Sequence, residues 1–276
     1  MFGVSRILAG IVVLSTLLFI MLRWFEYRQV YHPYRDWAET GHALGRPWED
    51  LRLRASDGVE LNAWFFAANT NSPRQHLAVV VCHGNGGNIS HRLGLYEALL
   101  ATGVAVLAFD YRGYGQSAGR ASEEGTYLDA QAAHAWLRER GFAGSNIIAF
   151  GESLGGAVAT ELARRETVGG LVLQSTFTSV PDLGAELFPF LPVRWLATIR
   201  YDTHRKLAKV RVPLLILHSR EDRLIPFHHA QQNLTAANEP KRLWEIAGDH
   251  NDALDADRSR FVAGLDTFLA ELLTAP

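Results

Sequence analysis

The stretch "AFGESLGGAVA", residues 149–159, sets one serine between glycines where an apolar run ends and a helical pattern begins. Glycine on both sides of Ser153 has two readings. Either the backbone turns very tightly there, or the side chain must be presented to a reaction partner. The strand–Gly-x-Ser-x-Gly–helix order accounts for both. Small residues at 151 and 155 permit a sharp turn that holds Ser153 strained and accessible, as a nucleophile elbow does. The free N–H groups and the dipole of the helix that begins after Ser153 suit a developing oxyanion.

A serine hydroxyl is a weak nucleophile at neutral pH. It needs a base, and the base needs an acid to orient it. In this architecture the partners follow in the order Ser, Asp or Glu, His. "HSREDRLIP" (218–226) comes directly after an apolar run and offers Asp222, with Glu221 as the alternative. "WEIAGDHND" (244–252) offers His250, flanked by Asp249 and Asp252, which read as solvated loop charges. A second oxyanion donor is needed as well. The glycine-rich "CHGNGGN" (82–88) supplies the backbone N–H of Asn85, to act with that of Leu154. His83 reads as a loop brace, and His218 as the end of a strand. His228 and His229 read as a helix-surface pair that cannot face one metal ion. No HExxH motif occurs, so neither a metal nor a cofactor is expected.

Five short runs without alternation suit strands covered on both faces: 77–84, 104–110, 146–151, 170–175 and 213–219. Helical patterns separate them, at 89–102, 122–140 and 154–166, and another closes the chain at 253–273. Before the first covered run, "LRLRASDGVELNAWFF" reads as an antiparallel pair around Asp57-Gly58, with Val59, Leu61, Ala63 and Phe65 alternating toward a core. Strands alternating with helices predict an α/β fold with a mostly parallel sheet flanked by helices. Residues 178–209 interrupt the alternation and read as a small cap-like insert of short helices broken by Pro181, Pro189 and Pro192. Its Leu187, Phe188, Phe190, Leu191 and Trp195 either line an acyl pocket or pack the insert onto the core.

The composition allows a large core, with 48% hydrophobic and 20% charged residues in 276. A formal charge of −2 and the lack of a basic block argue against a nucleic-acid partner. Cys82 is the only cysteine, which excludes an internal disulfide. Residues 7–22 are uncharged between Arg6 and Arg23, and would span roughly 24 Å as a helix at ~1.5 Å per residue. Trp24, Phe25, Tyr27 and Tyr31 suit a headgroup belt. Bulky residues follow where a signal peptide would carry a small-x-small cleavage site, so an uncleaved transmembrane anchor (1–24) is expected ahead of a cleaved signal peptide or a buried helix. A juxtamembrane linker (25–48) and a globular domain (49–276) complete the division. Arg23, Arg28 and Arg35 against Arg6 favour a cytoplasmic body, while the short N-terminal tail weakens that count; both sides stay open.

"HGNGGN", "DYRGYGQSAG", "GESLGG", "SREDRLIP" and "GDHND", in this order from about residue 50 onward, resemble the α/β-hydrolase superfamily. They are most similar to its Bem46-like branch of membrane-anchored serine hydrolases; prolyl-oligopeptidase-type peptidases are more distant. The resemblance implies an eight-stranded sheet, a triad of Ser153, Asp222 and His250, and oxyanion donors at Asn85 and Leu154. It also implies that Asp110 and Tyr111 begin an active-site loop, where a bracing role is expected. The expected chemistry is cleavage of a small-molecule or lipid-like ester or thioester through an acyl-enzyme on Ser153. The alternatives are a peptidase or amidase of the same fold, and a catalytically silent binding module tethered to a membrane.

Overall fold

All five covered runs become neighbouring strands of one sheet. The structure is a computed structural model and describes residues 2–274; Met1, where the expected anchor begins, and residues 275–276 of the expected globular domain lie outside them. The chain divides into two units, Met1–His32 and Pro33–Pro276. The first contains helix α1 (Phe2–Val30), whose span Arg6–Val30 is long and apolar enough to cross a membrane and whose most apolar 18-residue window is unburied.

The second unit is built on eight strands: β1 (Glu49–Arg54), β2 (Glu60–Phe66), β3 (Ala78–Cys82), β4 (Ala105–Phe109), β5 (Ile147–Glu152), β6 (Gly170–Gln174), β7 (Leu214–Ser219) and β8 (Lys241–Ile246). Their order across the sheet is β8-β7-β6-β5-β3-β4-β2-β1. The pairs β1–β2 and β2–β4 are antiparallel, and the rest are parallel. Helices α2 (Leu93–Ala101), α3 (Glu123–Glu139) and α4 (Leu154–Arg165) connect the central strands. Ser122 caps α3 by accepting the Gly125 N–H, with Glu123 and Glu124 in the first turn, as the local pattern predicts. Alternate strand residues, such as Val79, Val81, Val106, Ala108, Ile148 and Phe150, enter one apolar cluster with α2 and the C-terminal helix. The intervening residues are equally buried, which is why these runs show no polar alternation.

Several expectations need correction. β2 is buried on both faces rather than one, because Trp64 and Phe66 join the core beneath Trp37 and Trp48. The ring centroids of Trp37 and Trp48 lie 5.2 and 5.1 Å from that of Trp64. The later part of the expected linker is therefore packed structure, and α1 continues six residues beyond the expected anchor. The insert forms α5 (Val180–Leu187), α6 (Val193–Leu196) and α7 (Thr203–Leu207). Pro181 starts α5 instead of breaking a helix, since its missing N–H is an unsatisfied donor position anyway. Phe190 is 98% exposed and Trp195 91% exposed, so these two rings neither line a pocket nor pack onto the core.

After α8 (His228–Ala236), the final helix is also not continuous: α9 (Ala253–Ala256) and α10 (Arg258–Thr274) are separated at Asp257. The Asp257 carboxylate accepts the Arg260 N–H and so caps a new helix start.

Burial sets the expected cost of substitution. Trp64→Ala should lower stability by about 3–5 kcal/mol, because it opens a cavity among three packed rings. Phe190→Ser and Trp195→Ser should each stay within roughly 0.5 kcal/mol of wild type. Denaturant unfolding of the full chain in detergent checks both.

Candidate active site

Three strand ends carry the candidate site residues, and all three lie on the carboxyl edge of the sheet. β5 ends at Glu152, and α4 begins at Leu154. Ser153, the single residue between them, takes φ 52° and ψ −116°. A side chain in this region is strained and persists only where its surroundings fix it. Here the Ser153 N–H donates to the Gln174 carbonyl at 2.8 Å, and its own carbonyl accepts from Thr176 Oγ1 at 2.6 Å and the Gly156 N–H at 3.0 Å. The glycines are a steric requirement. A Cβ on Gly151 would overlap the Gly155 carbonyl, and one on Gly155 would overlap the Cys82 carbonyl oxygen. The start of α4 thus lies directly against the end of β3, from which the glycine-rich loop departs.

Asp222 follows β7 and His250 follows β8. His250 Nε2 lies 3.1 Å from Ser153 Oγ, and its Nδ1 lies 2.8 Å from Asp222 Oδ2. Asp222 Oδ1 accepts the backbone N–H groups of Leu224 and Ile225 at 3.0 and 2.8 Å, so the turn into "LIP" fixes the carboxylate plane. Glu221 points elsewhere and accepts the Gly248 N–H at 3.3 Å. Ser153, 7% exposed, and Asp222 are both buried, while His250 remains partly open. The structure therefore brings Ser153, Asp222 and His250 together and leaves Glu221 outside.

The N–H groups of Asn85 and Leu154 have no hydrogen-bond partner among the described residues, so both remain available to an oxygen. The loop carrying Asn85 is held from below. Tyr111 Oη donates to the His83 carbonyl at 2.9 Å, and Tyr114 Oη to that of Asn85 at 2.8 Å. His83 Nδ1 donates to the Gly84 carbonyl at 2.7 Å. Asp110 Oδ1 accepts the Ile89 N–H at 2.8 Å and lies 3.6 Å from His83 Nε2. Burial raises the Asp110 pKa to about 7 and lowers that of His83 to about 3, so the imidazole is neutral over the ordinary pH range.

Other residues differ from their sequence reading. Asp249 is no free loop charge. Its carboxylate accepts the backbone N–H groups of Arg223 and His250 at 2.9 and 2.8 Å and pairs with the Arg223 guanidinium. These bonds, the backbone ones foremost, lower its pKa to about 2 and tie the Asp222 loop to the His250 loop. His229 is buried, not on a helix surface, and with His228 and Glu186 it brings three potential ligand atoms within 4.8 Å of one another. Adjacent histidines converge here because His228 is the first residue of α8. The Thr178 N–H donates to His229 Nδ1 at 3.1 Å, which puts the ring proton on Nε2, 3.5 Å from Glu186. A metal-binding histidine instead donates from its other nitrogen, so this tautomer fits a carboxylate and not an ion. Local patterning also gave no sign of the pair between Arg92 Nε and Glu152 Oε2 at 3.2 Å, which links distant segments beneath the glycine-rich loop.

A family model described as alpha/beta hydrolase fold matches residues 78–208. The uncharacterized protein Rv2307c of Mycobacterium tuberculosis is 36% identical over 255 residues, covering 91% of this chain and 90% of that protein. The alpha/beta hydrolase domain-containing protein WAV2 of Arabidopsis thaliana is 32% identical over 244 residues, 80% of this chain and 77% of its own length. The solved esterase Pf2001 of Pyrococcus furiosus superposes with a TM-score of 0.73 at 22% identity, covering 88% of this chain and 98% of that one; the likeness is one of fold.

Gly155→Ala should destabilise the protein by about 1–3 kcal/mol or more, because the new methyl meets backbone that cannot yield; thermal unfolding reads this out. For His83, the unfolded ring titrates near 6.5 and the folded one near 3. Between these values the unfolded chain binds the additional proton, so His83 stabilises the fold above pH 6.5 and progressively less below it. The stability advantage of wild type over His83→Gln should therefore shrink as pH falls from 6.5 to 4, measured by urea unfolding at each pH.

Proposed function

This chain belongs to the alpha/beta hydrolase family, and from that premise we propose that it is a membrane-anchored serine hydrolase cleaving carboxylic ester or thioester bonds. The observation that carries the reading is the unbroken relay from Ser153 Oγ to His250 Nε2 at 3.1 Å and from His250 Nδ1 to Asp222 at 2.8 Å. His250 takes the Ser153 proton as Oγ attacks the carbonyl carbon. Asp222 fixes the imidazole tautomer and stabilises the cation that forms. The tetrahedral oxyanion sits between the N–H groups of Asn85 and Leu154, each worth ~10²–10³ in kcat. His250 then protonates the departing alcohol or thiol, and water releases the acyl group by the same steps in reverse order. The scheme uses neither metal nor cofactor.

The anchor in this proposal is α1. Its apolar stretch is unburied and bounded by Arg6 and Arg23, and Trp24 stands exposed just beyond. Basic ends that extend toward water and a tryptophan at headgroup depth are features of a membrane-spanning helix. The catalytic unit begins at Pro33, with residues 178–209 as its insert.

A fluorophosphonate probe should label wild type and fail to label Ser153→Ala. Asp222→Asn should lower kcat on an acyl-ester panel by ~10⁴, while Glu221→Gln stays near wild type. Faster turnover of a fluorogenic peptide panel than of the esters would overturn the ester reading. Absence of labelling in folded wild type would favour a silent binding module.

A further inference from the structure

The two amides assigned to the oxyanion sit on different chain segments, Asn85 on the loop after β3 and Leu154 at the start of α4. Among the described residues no hydrogen bond runs directly between residues 84–88 and residues 152–155. The Arg92 side chain joins them instead. Its Nε donates to Glu152 Oε2 at 3.2 Å, and its Nη1 donates to the Asn88 carbonyl at 3.5 Å. Glu152 is the last residue of β5 and directly precedes Ser153. Asn88 closes the glycine-rich loop and is itself held, because its Nδ2 donates to the Asp36 carbonyl at 2.7 Å.

The loop glycines record how closely this ion pair approaches. A Cβ on Gly87 would lie 2.8 Å from Arg92 Nη1. One on Gly84 would lie 3.2 Å from Glu152 Oε1 and 3.3 Å from Arg92 Nη2. Gly84 does not take a left-handed φ, so the missing side chain there leaves room for the pair and does not serve a turn. The Arg92 and Glu152 side chains are only 14% and 24% exposed. A pair withdrawn this far from water is little screened by salt. A loop with glycine at 84, 86 and 87 has wide conformational freedom, and a guanidinium seated against two of those glycines restricts it.

Resting on the Ser153–His250 reading above, we propose that Arg92 and Glu152 are positioning residues for the oxyanion: their ion pair fixes the Asn85 amide relative to the Leu154 amide, so that both donate to one oxygen in the transition state. Neither side chain is assigned a contact with substrate. Catalytic donors lose most of their effect when displaced by about 1 Å. The oxyanion exists only after Ser153 Oγ has attacked, so the contribution of the pair falls on kcat and leaves KM alone.

The full chain in detergent is assayed on one soluble acyl ester, with kcat and KM determined separately for wild type, Arg92→Met, Glu152→Gln and the double variant. Arg92→Met should lower kcat by ~10²-fold while KM stays within about threefold of wild type. Glu152→Gln should lower kcat by about tenfold, and the double variant should be no slower than Arg92→Met, because both substitutions break the same tie. Affinity for a trifluoromethyl ketone, whose hemiketal oxygen takes the oxyanion position, should fall by the same factor as kcat/KM. Arg92→Lys keeps the charge and loses the fork, so its kcat should lie between those of wild type and Arg92→Met. If Arg92→Met fails to fold, Glu152→Gln and Arg92→Lys carry the same test. Unchanged kcat in the folded variants overturns the positioning role. So does a loss carried by KM, or a double variant whose losses multiply. In each of these cases the hydrolase reading stands as long as a fluorophosphonate labels wild-type Ser153. Absence of both labelling and turnover in wild type overturns the hydrolase reading and this inference with it.

Discussion

The candidate site depends on one backbone constraint: the chain must change from strand to helix within the single residue Ser153. That residue takes φ 52°, a conformation that most side chains avoid. It holds because Gln174, Thr176 and Gly156 satisfy its backbone groups, and because neither Gly151 nor Gly155 carries a Cβ to collide with neighbouring carbonyls. The same close approach puts the first turn of α4 against the end of β3. The glycine-rich loop that leaves β3 therefore starts beside the first turn of α4, where a side chain at position 155 would meet the carbonyls of Cys82 and His83.

The parallel strand order then determines which distant segments can meet. β5, β6, β7 and β8 are consecutive in the sheet, so the loops at their carboxyl ends lie side by side. Residues 153, 222 and 250 converge for that reason, although the serine and the histidine are 97 positions apart. A second layer keeps the loops in place: Tyr111, Tyr114 and His83 under the Asn85 loop, and Asp249 between the Asp222 and His250 loops.

Much of this was legible in the sequence, and the rest fails for identifiable reasons. The five covered strands and the capped start of α3 are local features, set by hydrophobic runs and by Ser122. The choice of Asp222 over Glu221 was also accessible, because the following "LIP" turn supplies the two N–H groups that hold one of its oxygens. The double burial of β2 was not. It depends on Trp37 and Trp48, which lie far outside the strand's own pattern and read as linker. The break at Asp257 was hidden because the apolar spacing continues across it, and only the cap on Arg260 marks the new helix. The contacts of Arg92, Asp249 and His229 are long-range pairs of charged or polar groups, whose partners no local periodicity can select. Phe190 and Trp195 mislead for the opposite reason: large rings are usually buried, and here the insert leaves both in solvent, one in the turn between α5 and α6 and the other on α6.

The tie between Arg223 and Asp249 joins the carrier of the acid to the carrier of the imidazole, and it does so at the surface, where Arg223 is almost fully in water. Dissolved ions weaken such an attraction, over a screening distance of ~8 Å at 0.15 M ionic strength, while the backbone bonds beside it are hardly touched. The electrolyte around the protein therefore adjusts how stiffly two neighbouring loops move as one body. Alignment of the imidazole becomes partly a property of the medium, a sensitivity that the buried anchoring of the serine does not share.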